Sequence, residues 1–364
     1  MSAARHALFA GVLLLLHASV AGAVELRAGD LVVLDTNAKQ VVRIDPTNGA
    51  RETIASWKNE TPQRMHFPWG IAIDADHRIL IADMNAHTLV AIDSATGEKS
   101  VVATRNHAQE PRFDSLRGLA LDSHGHAFVA NTRRGRGRTE HSILEIDLAD
   151  GGRRVVSGAT VGGGPALVYP SDLAFEPGGY LLVNVRIEGS VYRVDIATGD
   201  RQAVTSPQVG AGPALENPFG IARLSGGDII VTDRKAQQIV RIDPHTGDRR
   251  VASSATVGSG PGPKAPFGVV EAPDGNLYVS DLGTLSVYHV DLATGDRRVI
   301  TSRDQGSGPV LELPRNLAIV PGATVGSTAA RAWIWMAVFA LAAAAWLAWR
   351  RRRSPEPPTG DTAP

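Results

Sequence analysis

The sequence lacks cysteine, is poor in aromatic residues and carries no excess of either charge. Because none of its 364 residues is cysteine, no disulfide can stabilise it and packing must do so instead. Lysine and arginine number 37, as do aspartate and glutamate, and this balance gives no reason to expect a nucleic-acid partner. No His-x-x-x-His pattern, Ser/His/Asp arrangement or P-loop lysine is evident, so no familiar catalytic motif stands out.

Long apolar runs occur only at the two ends of the chain. Residues 1–23 carry Arg5 and His6, then an apolar stretch, then Ala21-Gly22-Ala23, a pattern typical of a signal peptide. We expect cleavage before Val24, and an uncleaved membrane anchor is the alternative. The segment therefore predicts export of the residues that follow.

The second apolar run, residues 332–349, is long enough to span a bilayer as one helix, with tryptophans at both ends. Four arginines follow at once in residues 350–364, and the positive-inside rule places this tail in the cytoplasm. Residues 323–331 form a linker of mostly small side chains. The sequence thus predicts a single-pass protein of the inner membrane, facing the periplasm, with a buried helix or a sorting signal as alternatives for the apolar run.

Between these ends the sequence repeats. Aspartates that close one strand of each repeat are separated by 48, 54, 48, 48 and 48 residues, and the glycines of the following turns keep the same intervals. The aspartates are Asp45, Asp93, Asp147, Asp195, Asp243 and Asp291, and the glycines are Gly49, Gly97, Gly151, Gly199, Gly247 and Gly295. Such a period is typical of radially stacked β-sheets, because one small sheet cannot bury both of its faces.

Each repeat contains four short runs rich in valine and isoleucine, as residues 218–254 illustrate. We therefore predict an all-β fold, a six-bladed β-propeller of four-stranded blades spanning residues 24–322, plus the C-terminal transmembrane helix. The first repeat lacks its inner strand, and the last such strand, residues 315–320, has no partners of its own. It should pair with residues 30–56, so that both termini share the closing blade.

The pattern P-x-G-I-A followed by G-x-I-x-V-x-D, as in PFGIARLSGGDIIVTD, resembles NHL-repeat propellers. Over residues 26–321 the sequence also resembles the wider group of the senescence marker protein and gluconolactonase. Lactonases of that group hold a divalent cation over the central channel, and the resemblance places Asp172 and Asn316 as metal ligands for a cation such as Ca²⁺. The E-G-P motif that supplies their glutamate ligand is absent.

The register of the repeats also predicts which side chains meet at the mouth of the channel. We expect the inner strands to open at Gly70, Gly118, Asp172, Gly220, Gly268 and Asn316. The residues immediately before these are Trp69, Arg117, Ser171, Phe219, Phe267 and Arg315. Such aromatic and arginine side chains can bind an anionic or sugar-like ligand, or can pack as plugs between blades.

Two further sets of polar residues have alternative interpretations. Acidic or amide side chains end the second strand of five blades, at Asp35, Asp83, Asn131, Asp233 and Asp281, while Val185 takes the sixth position. They could hold a metal, but acceptance of backbone hydrogen bonds is the favoured role. An insertion places Arg133, Arg134, Arg136 and Arg138 in one stretch, either a solvated loop or a contact for an anionic partner.

The long connectors between blades share the pattern G-x-G-P, and this repetition favours a structural role. They also lie on the predicted loop-rich face of the disc, and binding residues are often found on such loops. We interpret that face as the binding surface of a monomeric membrane-anchored module for a protein or glycan of the cell envelope. The alternative is a metal-dependent lactonase or related hydrolase that uses Asp172 and Asn316, with Arg117 and Arg315 binding an anionic substrate.

Overall fold

The computed structural model describes residues 24–60, 65–105, 111–135 and 138–322. The predicted signal peptide, the predicted linker, the predicted transmembrane helix of residues 332–349, the predicted cytoplasmic tail and Arg136 lie outside these ranges. Within them the chain consists of strands and turns, and no helix is long and apolar enough to cross a membrane.

The strands form six sheets of four, which confirms the predicted six-bladed propeller. Blade 1 consists of β24 (Pro314–Ile319), β1 (Leu31–Asp35), β2 (Gln40–Ile44) and β3 (Arg51–Ser56). Blade 2 consists of β4 (Pro68–Ile73), β5 (Ile79–Asp83), β6 (Thr88–Ile92) and β7 (Lys99–Thr104). Blade 3 consists of β8 (Ser115–Leu121), β9 (His126–Gly135), β10 (Arg138–Asp147) and β11 (Arg153–Ser157).

The other three blades follow the same order from the axis outward. Blade 4 consists of β12 (Pro170–Glu176), β13 (Tyr180–Val185), β14 (Ser190–Asp195) and β15 (Arg201–Thr205). Blade 5 consists of β16 (Pro218–Arg223), β17 (Ile229–Asp233), β18 (Gln238–Ile242) and β19 (Arg249–Ser253). Blade 6 consists of β20 (Pro266–Glu271), β21 (Leu277–Asp281), β22 (Ser286–Val290) and β23 (Arg297–Ser302).

The ring closes in blade 1 as the repeat register predicts. Strand β24 pairs antiparallel with β1, with Val33 opposite Leu317, and the six inner strands contact one another in a closed circle. Each pair of neighbouring blades shares one apolar cluster; the cluster between blades 6 and 1 includes Leu31, Val287 and Leu311, all fully buried. Each such side chain contributes about 1.5–3 kcal/mol on burial, so the closing contact is substantial.

Two sequence predictions differ from the structure. Each inner strand except β8 begins at a proline two residues before the predicted position, as Pro218 precedes Gly220. Pro218 pairs with Asp233, and the register then shifts because the Gly220 N–H donates to Thr232 Oγ1 at 2.9 Å instead of to the ladder. The arginine insertion, which could have been a loop, instead extends β9 and β10 as a hairpin, with Arg133 opposite Glu140.

Candidate functional site

The starts of the inner strands and the ends of the second strands share one face, because neighbouring strands within a blade are antiparallel. We call this the loop face, and the ring of side chains around the channel opening there the mouth. The acidic side chains at the ends of the second strands belong to the scaffold of this face. The buried Asp233 carboxylate accepts backbone N–H groups from Asn217 at 3.1 Å, Lys235 at 3.1 Å and Ala236 at 3.0 Å.

The same arrangement holds the loops of blades 1, 2 and 6, whereas blades 3 and 4 depart from it. Asn131 accepts the N–H of Asp114 at 2.9 Å and donates to the carbonyl of Arg112 at 3.2 Å. Val185 has no acceptor in its side chain, while the Arg186 N–H bonds to the carbonyl of Tyr169 at 3.3 Å, as the Arg234 N–H of blade 5 bonds to the carbonyl of Asn217. These contacts confirm that the acidic set serves the loops in blades that carry it.

The G-x-G-P loops also serve the scaffold. Arg249, at the start of the outer strand of blade 5, donates from Nε to the carbonyl of Pro213 at 2.7 Å and from Nη1 to that of Val209 at 2.9 Å. Arg51, Arg201 and Arg297 hold the equivalent loops of blades 1, 4 and 6 in the same way. These loops are therefore fixed along the neighbouring blade.

Three of the predicted site residues form an aromatic plug at the mouth. Trp69, Phe219 and Phe267 are each less than a tenth exposed. The ring centroid of Trp69 lies 6.0 Å from that of Phe219 and 5.4 Å from that of Phe267, and the two phenylalanines are 4.6 Å apart. Since the rings pack against one another, the plug offers little aromatic surface for a ligand.

The two predicted arginines stack on this plug. The Arg315 guanidinium carbon lies 4.5 Å from the ring centroid of Phe67 and 5.0 Å from that of Trp69. That of Arg117 lies 5.6 Å from Trp69 and 5.7 Å from Tyr169. Burial, and secondarily the charge of Arg234, lowers the pKa of Arg315 to about 10, so it remains protonated at neutral pH. Ser171, the sixth residue of this ring, is fully buried and donates to the carbonyls of Pro218 and Phe219.

Two arginines that the sequence analysis missed complete the mouth. Arg186 and Arg234 immediately follow the second strands of blades 4 and 5, and lie over the Phe219 ring at 4.2 Å and 5.6 Å from its centroid. Burial first, and then the charge of Arg234, lowers the pKa of Arg186. The repeat register could have located both arginines, because it places each of them directly after a second strand. The other blades have Thr36, Met84, Thr132 and Leu282 at this position.

Asp172 and Asn316 lie in the channel rather than in the mouth. They are the polar side chains of a cavity of about 410 Å³ otherwise lined by apolar inner-strand residues. Burial raises the pKa of Asp172 to about 7, although its carboxylate accepts the backbone N–H groups of Leu119, Leu173 and Ile221. Asn316 accepts the N–H of Leu317 at 2.9 Å.

This geometry does not fit a calcium site well. Asp172 and Asn316 belong to opposite inner strands, β12 and β24, and Ca²⁺ requires six to eight oxygen ligands. Among the described residues, no group of three histidine, aspartate or glutamate side chains could hold a metal. Binding of a divalent cation by Asp172 and Asn316 therefore remains a prediction, which a direct metal titration would test.

Of the four inserted arginines, the structure describes the side chain of Arg133 alone. It is half exposed, and its Nη1 lies 3.7 Å from Oε2 of Glu140. The backbones of Arg134 and Arg138 belong to β9 and β10. The role of this set as an anionic contact remains a prediction.

No family model matches the chain, and no curated protein matches it. Its fold is similar to that of several solved structures. A nidogen/laminin complex has a chain with a TM-score of 0.61 at 16% identity, over 80% of this chain and 97% of the other. The virginiamycin B lyase of Staphylococcus aureus has a TM-score of 0.53 at 13% identity, over 81% and 90%. A Bacteroides thetaiotaomicron protein of unknown function has a TM-score of 0.56 at 13% identity, over 80% and 71%. At these identities the likeness shows the fold alone.

Proposed function

We propose that the chain is a monomeric, membrane-anchored extracytoplasmic propeller of the NHL type that binds a protein of the cell envelope through its loop face. The observation that carries this is the mouth, where Arg117, Arg186, Arg234 and Arg315 gather over one aromatic plug. Like charges placed together repel one another, and such clusters are typical of binding sites for anions. The nidogen/laminin neighbour, a propeller in a protein complex, supports the choice of a protein over a glycan.

The proposed location in the cell envelope rests on the two apolar segments at the ends of the sequence. A signal peptide over residues 1–23 and a helix over residues 332–349 would hold the propeller at the periplasmic side of the inner membrane. The loop face would then be presented to partners outside the cytoplasm.

Site-specific photo-cross-linking in cells tests this function with the full-length chain. A photoreactive residue at Ile187, next to Arg186 and 68% exposed, should yield a defined cross-linked partner. The same residue at Thr198, in a hairpin on the opposite face, is the matched control. Equal products from the two positions, or none from Ile187, would show that the loop face is not the binding surface.

The lactonase hypothesis remains as an alternative because Asp172 is a buried carboxylate with a raised pKa in the channel. Turnover of a lactone panel by the purified full-length protein would favour it over a binding module. Loss of that turnover in Asp172→Asn would place the chemistry in the channel.

A further inference from the structure

Three of the arginines of the mouth lack acidic partners within the described part of the chain. Arg186, Arg234 and Arg315 form no ion pair with any carboxylate there. Arg186 donates from Nε to Asn217 Oδ1 at 3.0 Å, and Arg315 makes one long contact, 3.5 Å, with Thr36 Oγ1. Several guanidinium N–H groups are therefore available to a ligand.

The carboxylates of the neighbouring turns are engaged elsewhere. Glu188 accepts the hydroxyl hydrogen of Tyr192, and burial, together with this bond, raises the pKa of that tyrosine to about 12. Glu216 pairs with the Nζ of Lys235 at 2.9 Å. Neither Glu188 nor Glu216 therefore forms an ion pair with Arg186 or Arg234.

The stacking geometry restricts what can bind. The guanidinium carbons of Arg186 and Arg315 lie over aromatic rings, and the guanidinium N–H groups that have no acceptor in the protein remain for a ligand. The edge of a guanidinium matches the two oxygens of a carboxylate, while the buried Trp69 ring offers no stacking platform for a sugar. A compact planar oxyanion fits this site better than a glycan does.

An exposed apolar side chain next to the mouth favours a peptide as the carrier of that oxyanion. Ile187 is 68% exposed in the turn that begins with Arg186, and it is one of three large apolar side chains exposed in the described ranges. A protein segment can present an acidic side chain to the arginines and an apolar one to Ile187 at the same time.

We infer that the mouth is a recognition site for an acidic segment of a partner protein, in which a carboxylate binds between Arg186 and Arg234 and an apolar neighbour contacts Ile187. This inference rests on the proposed function and deepens it by naming the chemistry of the partner. It concerns residues of blades 4 and 5, outside the channel that a lactonase would use.

Peptide binding to the full-length protein in nanodiscs tests the inference. The probe is a synthetic peptide with two aspartates flanked by leucine and valine, and its control carries asparagines instead. Arg186→Gln and Arg234→Gln should each weaken binding of the aspartate peptide about tenfold, as expected for one charge-assisted hydrogen bond at a partly exposed site. Arg298→Gln, at an exposed arginine of the outer strand β23, should leave the affinity unchanged.

Three results would overturn the inference: equal affinity for the aspartate and asparagine peptides, equal affinity of Arg186→Gln and Arg298→Gln, or tighter binding of an oligouronate than of the peptide. Competition by inorganic phosphate at millimolar concentration would support a shared oxyanion site. If the Ile187 cross-link persists in the Arg186→Gln, Arg234→Gln double variant, the loop face binds a partner by other means. In that case the proposed function stands and the acidic-segment inference fails.

Discussion

Asp281 provides a sharp test of how the loop face is held. Its carboxylate is fully buried and accepts backbone N–H groups from Lys264 at 2.8 Å, Ala265 at 3.1 Å, Gly283 at 2.8 Å and Thr284 at 3.0 Å. In Asp281→Asn one oxygen becomes an NH₂ group that faces the Lys264 N–H or the two turn N–H groups. At least one buried donor therefore loses its acceptor.

Each buried donor left without a partner costs about 1–3 kcal/mol, and hydrogen bonds to a charged acceptor are worth about 1.5–3 kcal/mol. We expect Asp281→Asn to lower the free energy of unfolding by about 2–4 kcal/mol, measured by urea unfolding of the full-length protein followed by circular dichroism. Asp304→Asn, an exposed aspartate in a blade connector, should change it by less than about 0.5 kcal/mol.

Asn131 shows why an amide is not a simple replacement. It occupies the same register position, yet it both accepts from Asp114 and donates to the carbonyl of Arg112, because its loop differs. If Asp281→Asn unfolds with the wild-type free energy, or if Asp304→Asn is equally destabilised, the carboxylate does not hold the loop and the reasoning is refuted.

Three further predictions concern the channel. Gly118→Ala places a Cβ 2.3 Å from Asp172 Cα and should lower the free energy of unfolding in urea by about 1–3 kcal/mol. In the control Gly226→Ala the new Cβ has no atom within 4 Å, so the free energy of unfolding should not fall. Equal stabilities of the two variants would contradict this prediction. Because burial raises the pKa of Asp172 to about 7 from about 3.9 in the unfolded chain, its contribution to stability is full below about pH 4 and is lost as pH rises through 7. Asp172→Asn should remove that slope from the unfolding free energy, and an unchanged slope would refute the assignment. Melting temperatures in EDTA and in millimolar Ca²⁺ should agree, and a clear rise with Ca²⁺ would instead support the metal-dependent hydrolase.

The blade count and the closure of the ring could be predicted because they depend on local signals. Each hairpin needs a glycine at positive φ, such as Gly247 at 75°, and an aspartate such as Asp243 that accepts turn N–H groups, so both recur wherever a blade recurs. The missing inner strand of the first repeat then indicates where the last strand must pair.

The site was predicted only in part. The register predicted that Trp69 and Arg315 lie near one another, yet it could not show that the aromatic rings pack together and that the guanidinium of Arg315 lies over them. Arg186 and Arg234 were missed because the residue type at this register position varies from blade to blade, so no repeated residue indicated that the position lies at the mouth. Asp172 and Asn316 were expected near the axis at the starts of inner strands, and both line the cavity of the channel.

A crystal structure of the full-length protein with the aspartate peptide is the most direct test of the proposed binding site. The prediction is a peptide carboxylate within hydrogen-bond distance of the guanidinium groups of both Arg186 and Arg234, with an apolar side chain against Ile187. A peptide bound in the channel beside Asp172, or on the face of the short hairpins, would contradict it.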